Sequence, residues 1–391
     1  MSEMTEQDMM DTVFMEETCS GEDRGASMTF ELHGTHIHVS IFPSNGSSTN
    51  GSNHLQPKDR PLQDHLIDIF SQVLRCEDSD ERKVLHEEVL SAILKAGKPL
   101  FSKLTPKMPI REQSTLHEFL FAEILYFSLD CDSDAASVVP VEPEEALAAS
   151  HLINRELGQP SEEELGLCEH IPLYSPEDVV VKNVFMKGIK RVTAAVLVDG
   201  RDMFCKAHGI PSQLRGGPEA RELEYLGKIL KAFPQQGSIR VAQLLGYIHD
   251  KDTKRILGFL RQWVPGRNLG FEIDLAATAT ETKQKWASQI RESVQLLHKH
   301  GIVWGDAKPC NVVIDEQDNA WLIDFGGGFT PGWVDGQLAE TIEGDEQALD
   351  RFETFLGGKT MWSCANKRLT LGTRSSMGHR LPRSGQRRAD R

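Results

Sequence analysis

Apolar positions change their spacing several times along the chain, and each change marks an element or a boundary. Phe30 and Leu32, then Ile37, Val39 and Ile41, alternate with polar residues around Gly34. A period of two about a glycine predicts a small hairpin over 28–42. The period then lengthens. Leu62, Leu66, Ile69, Phe70, Val73 and Leu74 fall on one helical face, and so do Val84, Leu85, Val89 and Ile93, with Gly97 and Pro99 ending the second run. Leu116–Leu129 is apolar enough to be helix or strand, and periodicity does not choose.

From Glu177 the texture is that of a globular domain. Short β-type runs at Val179–Met186, Thr193–Val198 and Asp202–Lys206 are followed by strands over Ile239–Ile248 and Arg255–Val264, with Asp199-Gly200 as a hairpin turn. Leu223, Leu226, Ile229 and Leu230 place a helix over Pro218–Phe233, and Trp286–His300 reads as a helix that ends at Gly301. Val312–Ile314 and Ala320–Ile323 are two short strands around a turn.

These patterns divide the chain. Residues 1–60 are mostly disordered apart from the hairpin, and Ser44–Asn53 (SNGSSTNGSN) is a flexible linker. A helical region spans 61–137, an acidic, Pro-containing linker 138–176, the globular domain 177–356, and a basic disordered tail 357–391. The segment after Gly358 holds nine Lys or Arg against one acidic residue, Asp390.

Composition narrows the function classes. The chain has 391 residues, is 39% hydrophobic and carries a formal charge of −15, which argues against general nucleic-acid binding; the basic tail keeps a weak capacity for it. No run approaches the roughly 20 apolar residues of a membrane span. Met1–Glu17 is acidic and unlike a signal peptide. The expectation is a cytoplasmic or nuclear protein, without a membrane partner. Seven scattered cysteines with no C-x-x-C pair predict reduced thiols.

The chemistry is concentrated in His300–Asp315, HGIVWGDAKPCNVVID. Lys308 stands two residues after Asp306 and Asn311 five after it, and Asp324-Phe325-Gly326 follows downstream. Phosphoryl transfer needs little covalent help and much charge neutralisation. A carboxylate that accepts the acceptor-hydroxyl proton fits Asp306, and a cation beside it fits Lys308. An amide oxygen and a second carboxylate, Asn311 and Asp324, suit Mg²⁺, a hard cation that prefers oxygen ligands.

This block resembles the catalytic and metal-binding loops of the protein kinase superfamily, and HGIVWGDAKPCNVVID with AWLIDFGGGFTPGWVD is most similar to the protein-kinase-like proteins common in fungi. The resemblance covers about Glu177–Phe355. It implies an α+β, bilobed fold: a small antiparallel sheet with one helix, on a short helical second lobe, with an N-terminal helical extension. It implies ATP and Mg²⁺ between the lobes. Lys206, at a strand end, takes the role of the phosphate-gripping lysine. Glu222 takes that of its helix partner, with Glu224 as second choice. Gln262, Trp263 and Val264 would meet the adenine, and Asp345 would brace the catalytic loop.

Three departures bear on this. No G-x-G-x-x-G precedes Lys206, and Gly188 alone is available. Trp304-Gly305-Asp306 lacks the arginine that pairs with a phosphorylated activation loop, so that control is not expected. About thirty residues separate Asp324 from Phe355, too few for the usual substrate helices. The expected activity is phosphoryl transfer from ATP to Ser or Thr hydroxyls of a protein substrate. A small-molecule phosphotransferase of the aminoglycoside or choline type and an ATP-binding pseudokinase stay open. The two N-terminal helices are expected to dock on the kinase-like core, or else on each other. His33, His36 and His38 form H-x-x-H-x-H, read as a solvated strand face rather than a metal site.

Overall fold

The computed structural model describes residues 9–10, 13–20, 25–44, 61–76, 78–104, 114–132, 135–148, 167–209, 217–235 and 237–358. The fold is mixed α+β, with three sheets and three buried apolar clusters.

The first sheet runs β1 (Phe14–Ser20), β2 (Ala26–Leu32), β3 (Thr35–Ile41), β4 (Ile124–Asp132), β5 (Ala135–Pro140). Its neighbours are antiparallel except β3 and β4, which are parallel. A parallel pair needs a long crossover, and helices α1 (Leu62–Arg75) and α2 (Ser79–Phe101) lie within that connection. Leu66, Ile69, Phe70 and Val73 of α1 and Val89, Leu90, Ile93 and Leu94 of α2 share one core with Met28, Phe30, Leu32, Ile37, Val39 and Ile41. The helices therefore pack on each other and on their own sheet, and their buried faces belong to neither of the clusters formed by residues 116–356.

Several expectations change here. Residues 28–42 do form a hairpin, β2 with β3, but as two inner strands of a five-stranded sheet. Their polar face is covered as well: Ser27, Thr29, His36, His38 and Ser40 are all buried, and Ser40 Oγ donates to the Ala146 carbonyl of α4 (Pro143–Leu147). A strict alternation looks the same whether its polar face meets water or a second layer. His36 and His38 are thus not on a solvated face, and His33 lies in the turn between the two strands. His36 Nε2 lies 3.4 Å from Glu31, and His38 Nδ1 is 2.8 Å from Thr29 Oγ1. Residues 138–148 are strand and helix rather than linker, and Leu116–Leu129 is both helix, α3 (Leu116–Leu120), and strand, β4. The linker around Ser44–Asn53, apart from Ser44, and the tail after Gly358 lie outside the described residues.

Helix α2 does not stop at Gly97 and Pro99 but runs on to Phe101. The reason is tertiary. The Phe101 ring is fully buried edge-on to Phe30 and Phe127, and it lies over Gly97, where an added Cβ would meet it at 2.1 Å.

The second sheet runs β6 (Leu173–Tyr174), β10 (Leu244–His249), β11 (Ile256–Gln262), β9 (Arg201–His208), β8 (Arg191–Val198), β7 (Val180–Gly188). It is antiparallel apart from the β6–β10 pair. Asp199 and Gly200 join β8 to β9 with φ of 50° and 73°, the left-handed pair that a two-residue hairpin needs. Helix α5 (Pro218–Ala232) follows β9. A third, three-stranded sheet of β12 (Gly266–Asn268), β13 (Val312–Asp315) and β14 (Ala320–Leu322) packs with α6 (Thr280–Lys299) and α7 (Ile342–Leu356) around Trp286, Trp304, Trp333 and Phe352. The first and second sheets are tied together. Helix α3 caps the β8 side of the second core, with Leu116 N on the Val179 carbonyl and Val181 N on that of Ser114, and Lys187 of β7 pairs with Glu31 of β2.

Two tests follow from this packing. Gly97→Ala should destabilise the chain by about 1–2 kcal/mol in urea unfolding, because overpacking against Phe101 outweighs the roughly 1 kcal/mol gain in helix propensity. Burial lowers the His38 pKa to about 4. A histidine kept neutral in the fold favours folding above its unfolded pKa of about 6.5, and that contribution falls away as pH drops from there through about 4. Thermal melts at pH 7.5 and 5.0 should show His38→Gln losing less stability on acidification than the unsubstituted chain.

Candidate active site

Alternation along β9 aims its residues at two regions. Met203, Cys205 and Ala207 enter the core under α3, while Phe204 and Lys206 face a cleft. The cleft, a cavity of about 320 Å³, also takes Phe185, Met186, Arg191 and Thr193 from β7 and β8, Glu219 from α5, Arg261 from β11, and Asn311, Ile323 and Asp324 from the loops around β13 and β14.

Glu222 lies on the buried face of α5 beside Leu223 and Leu226, and it is 0% exposed. Lys206 Nζ donates to Glu222 Oε2 and, at 3.0 Å, to Asp324 Oδ1. Arg261 Nε stands 3.7 Å from the other Glu222 oxygen. Burial alone would lower the Lys206 pKa, but the charges of Glu222 and Asp324 overturn that and raise it, so this lysine stays a cation. Burial pushes Glu222 up, with Lys206 pulling the other way. Burial would also raise Asp324, yet Lys206 and then Arg261 hold it at about 2. Asp324 opens to the cleft, with its side chain 42% exposed, and its φ is +62°, a left-handed backbone that a non-glycine residue adopts at a cost.

Asp306 and Lys308 form an ion pair. Thr330 Oγ1 donates to Asp306 Oδ1 at 2.8 Å and accepts from Lys308 Nζ at 3.0 Å. Asn311 Nδ2 donates to the Asp306 carbonyl at 2.9 Å. Beneath them sits Asp345 on α7, 1% exposed, whose carboxylate accepts from Trp304 N at 2.8 Å and Gly305 N at 2.9 Å and lies 2.9 Å from His298 Nε2. Asp345 is not a solvated cap: it binds the two amides that lead into Asp306.

The fold therefore gathers Lys206, Glu222, Asn311 and Asp324 at one end of the cleft and Asp306 with Lys308 in the adjoining loop. Gln262, Trp263 and Val264 do not line the cavity: Val264 is buried, and Trp263 stacks on Phe185 at 5.7 Å and 13°. Glu224 pairs with Lys228 on the outer side of α5. Among the described residues Cys76, Cys131, Cys168 and Cys205 are free thiols.

Sequence reading missed four contributors. Phe204 is two residues before Lys206 and so on its strand face, a signal that was available. Arg261 lays its guanidinium over the Phe204 ring, 3.7 Å from the centroid, and Phe185 stacks on that ring's neighbourhood at 5.9 Å. Nothing in the local sequence of Thr330 or Arg221 marks them, because the hydrogen-bond partners of Thr330 in the site lie 22 and 24 residues away and those of Arg221 lie 83 and 104 residues away.

The donor set fits a hard cation. Asp324 and Asn311 share the cavity wall, and the Asn311 amide nitrogen is used by the Asp306 carbonyl, which leaves its oxygen for a metal. No helix among the described residues is long and apolar enough to cross a membrane.

No protein-family model matches the chain. Segments of it are similar to protein kinases. Protein kinase C epsilon type of Oryctolagus cuniculus is 31% identical over 75 residues, 19% of this chain and 10% of that protein. Mitogen-activated protein kinase kinase kinase 3 of Mus musculus is 28% identical over 117 residues, 30% of this chain and 18% of the relative. Serine/threonine-protein kinase OXI1 of Arabidopsis thaliana is 32% identical over 76 residues, 19% of this chain and 18% of the relative. The chain thus spans between a tenth and a fifth of the length of the curated relatives it matches.

The Asp345 brace gives a direct test. Asp345→Asn keeps the shape but puts an NH₂ among backbone donors. It should cost about 2–4 kcal/mol in urea unfolding, since hydrogen bonds to a charged acceptor contribute about 1.5–3 kcal/mol each in such settings. An unchanged midpoint would show that the carboxylate does not hold the loop.

Proposed function

We propose that the chain is an ATP- and Mg²⁺-dependent phosphotransferase of the protein-kinase-like kind, bilobed about the cleft, with the hydroxyl of a Ser or Thr in a protein as acceptor. The observation that carries the reading is Lys206: one ammonium bonds Glu222 and, across the cleft, Asp324, with Asn311 on the same wall. Such a cation flanked by metal-ligating oxygens is what the triphosphate of a nucleotide requires.

In this reading Lys206 binds the phosphates and Glu222 fixes its position. Asn311 and Asp324 would hold Mg²⁺, which when bound neutralises phosphate charge. Asp306 takes the acceptor proton as the new O–P bond forms and the bond to the ADP oxygen breaks, and Lys308 offsets the charge on the moving phosphoryl group. The Thr330 hydroxyl, bonded to both Asp306 and Lys308, shows that a hydroxyl fits between them. The name of one relative, a serine/threonine-protein kinase, agrees with this acceptor, and those of the others agree with protein phosphorylation.

Specific observations favour two other readings. A small-molecule acceptor fits the cleft as well: its cavity of about 320 Å³ carries the cations Lys206, Arg191 and Arg261 on its wall. The ion pairs Lys206–Asp324 and Lys308–Asp306 occupy both charged groups of the site with each other, which suits a nucleotide-binding scaffold without turnover.

One experiment separates the three. Millimolar ATP with Mg²⁺ should raise the melting temperature by mass action, and the protein should transfer γ-phosphate to Ser or Thr in a peptide library. Asp306→Asn should abolish transfer and keep the thermal shift, while Asp324→Asn should lose both. Binding without transfer to any acceptor supports the scaffold, transfer to aminoglycosides or choline alone supports the small-molecule reading, and no thermal shift at all defeats the proposal.

A further inference from the structure

The loop triplet Trp304-Gly305-Asp306 has glycine where an arginine would couple the catalytic loop to the segment after Asp324. The space beside that glycine is filled. Arg221, from the first turn and a half of α5, reaches across into it. Its Nη1 donates to the Phe325 carbonyl and lies 3.4 Å from the Trp304 carbonyl. Its Nε is 3.6 Å from Glu340 Oε2, and its guanidinium stacks on Tyr225, 4.1 Å from the ring centroid. Two glycines shape the channel. Gly305 has φ +96°, and an added Cβ would meet Arg221 Nη2 at 2.6 Å. Gly327 has φ +75°, and a Cβ there would meet Arg221 Cδ at 2.7 Å and Glu340 Oε1 at 2.3 Å. Glu340 Oε1 in turn accepts from Gly328 N at 2.7 Å.

We propose that Arg221 is a positioning residue that performs from the helix the coupling that the loop triplet lacks, holding the catalytic loop, the metal loop and α5 in one register. Its neighbour in sequence is Glu222, the partner of Lys206. One side chain thus ties the helix that sets Lys206 to the carbonyl after Asp324 and to the carbonyl two residues before Asp306. A guanidinium is suited to this place because its Nη1 meets both carbonyls while its Nε faces Glu340 and its plane lies on Tyr225, a combination that an ammonium on a single stem does not offer. Gly305 and Gly327 are glycine because the arginine passes where their side chains would be. The segment after Asp324 is thereby held by a built-in carboxylate, Glu340, rather than by a group added after synthesis. The part of the inference that concerns turnover rests on the phosphotransferase reading; the part that concerns loop order does not.

The test uses the full chain with Arg221→Met, Arg221→Lys and Glu340→Gln. Amide hydrogen exchange without nucleotide reads loop order. Arg221→Met should speed exchange about tenfold or more over 304–306 and 324–328, the change expected for losing hydrogen bonds from a charged donor, and leave β2, β3 and α1 unchanged. Arg221→Lys should recover a minor part. Glu340→Gln should act in the same direction more weakly and add little to Arg221→Met, since neighbours in one network are not additive. In turnover, Arg221→Met should lower kcat and raise the half-saturating Mg²⁺ concentration about tenfold. Exchange that is unchanged in those two segments, or that rises equally throughout the chain, overturns the proposal. So does full recovery by lysine. If the unsubstituted chain neither binds nor turns over Mg·ATP, the phosphotransferase reading falls and the exchange result alone decides Arg221.

Discussion

The buried charge cluster around Glu222 is the constraint on which the rest of the site depends. A carboxylate with no exposure is tolerated only if cations face it. Two do: Lys206 from β9 and Arg261 from β11. Those strands are hydrogen-bonded neighbours, with Lys206 opposite Phe259 and Met203 opposite Gln262, so the sheet register fixes the spacing of the cations. Lys206 then has a free direction, and Asp324 occupies it. Removing any member leaves a charge in a poor dielectric without its counterpart, which is why the three elements have one arrangement rather than several.

A second layer of fixed charge lies below the first. Asp345 gathers the amides of Trp304 and Gly305, and Arg221 gathers the carbonyls of Trp304 and Phe325. Donors and acceptors of the same short loop are thus satisfied from two different helices. Backbone groups that are buried need such partners, and here the partners are long charged side chains because the loop has no regular structure to pair with. The strained Asp324, at φ +62°, is held between Ile323, whose amide bonds the Asn311 carbonyl, and the fully buried Phe325.

The first sheet contributes differently. Its core is separate, but the chain leaves it at α3, packs on the second sheet, and returns as β4. Among the described residues the Lys187–Glu31 pair adds a second attachment, and both involve the β7 strand of the β7–β8 hairpin. Arg191 at that hairpin pairs with Glu219 on α5, so the hairpin is anchored on both sides by charge.

The sequence by itself determined a great deal of what is local. Spacing identified α1, α5, α6 and the strands from β7 onward except β12, because each has a periodic apolar face or a turn such as Asp199-Gly200 that works over a few residues. The type and order of Asp306, Lys308, Asn311 and Asp324 pointed to phosphoryl transfer because charge neutralisation demands those groups. Tertiary structure decided what depends on distant partners. The hydrophilic face of β2 and β3 proved buried because α4 covers it, and helix α2 ran past Pro99 because Phe101 had a slot between Phe30 and Phe127. Arg221, Thr330 and Arg261 entered the site by contacts from 22 to more than 100 residues apart, or across neighbouring strands. No short window of sequence contains both ends of such a contact, so only the folded chain could show Arg221 of α5 at the carbonyls of Trp304 and Phe325.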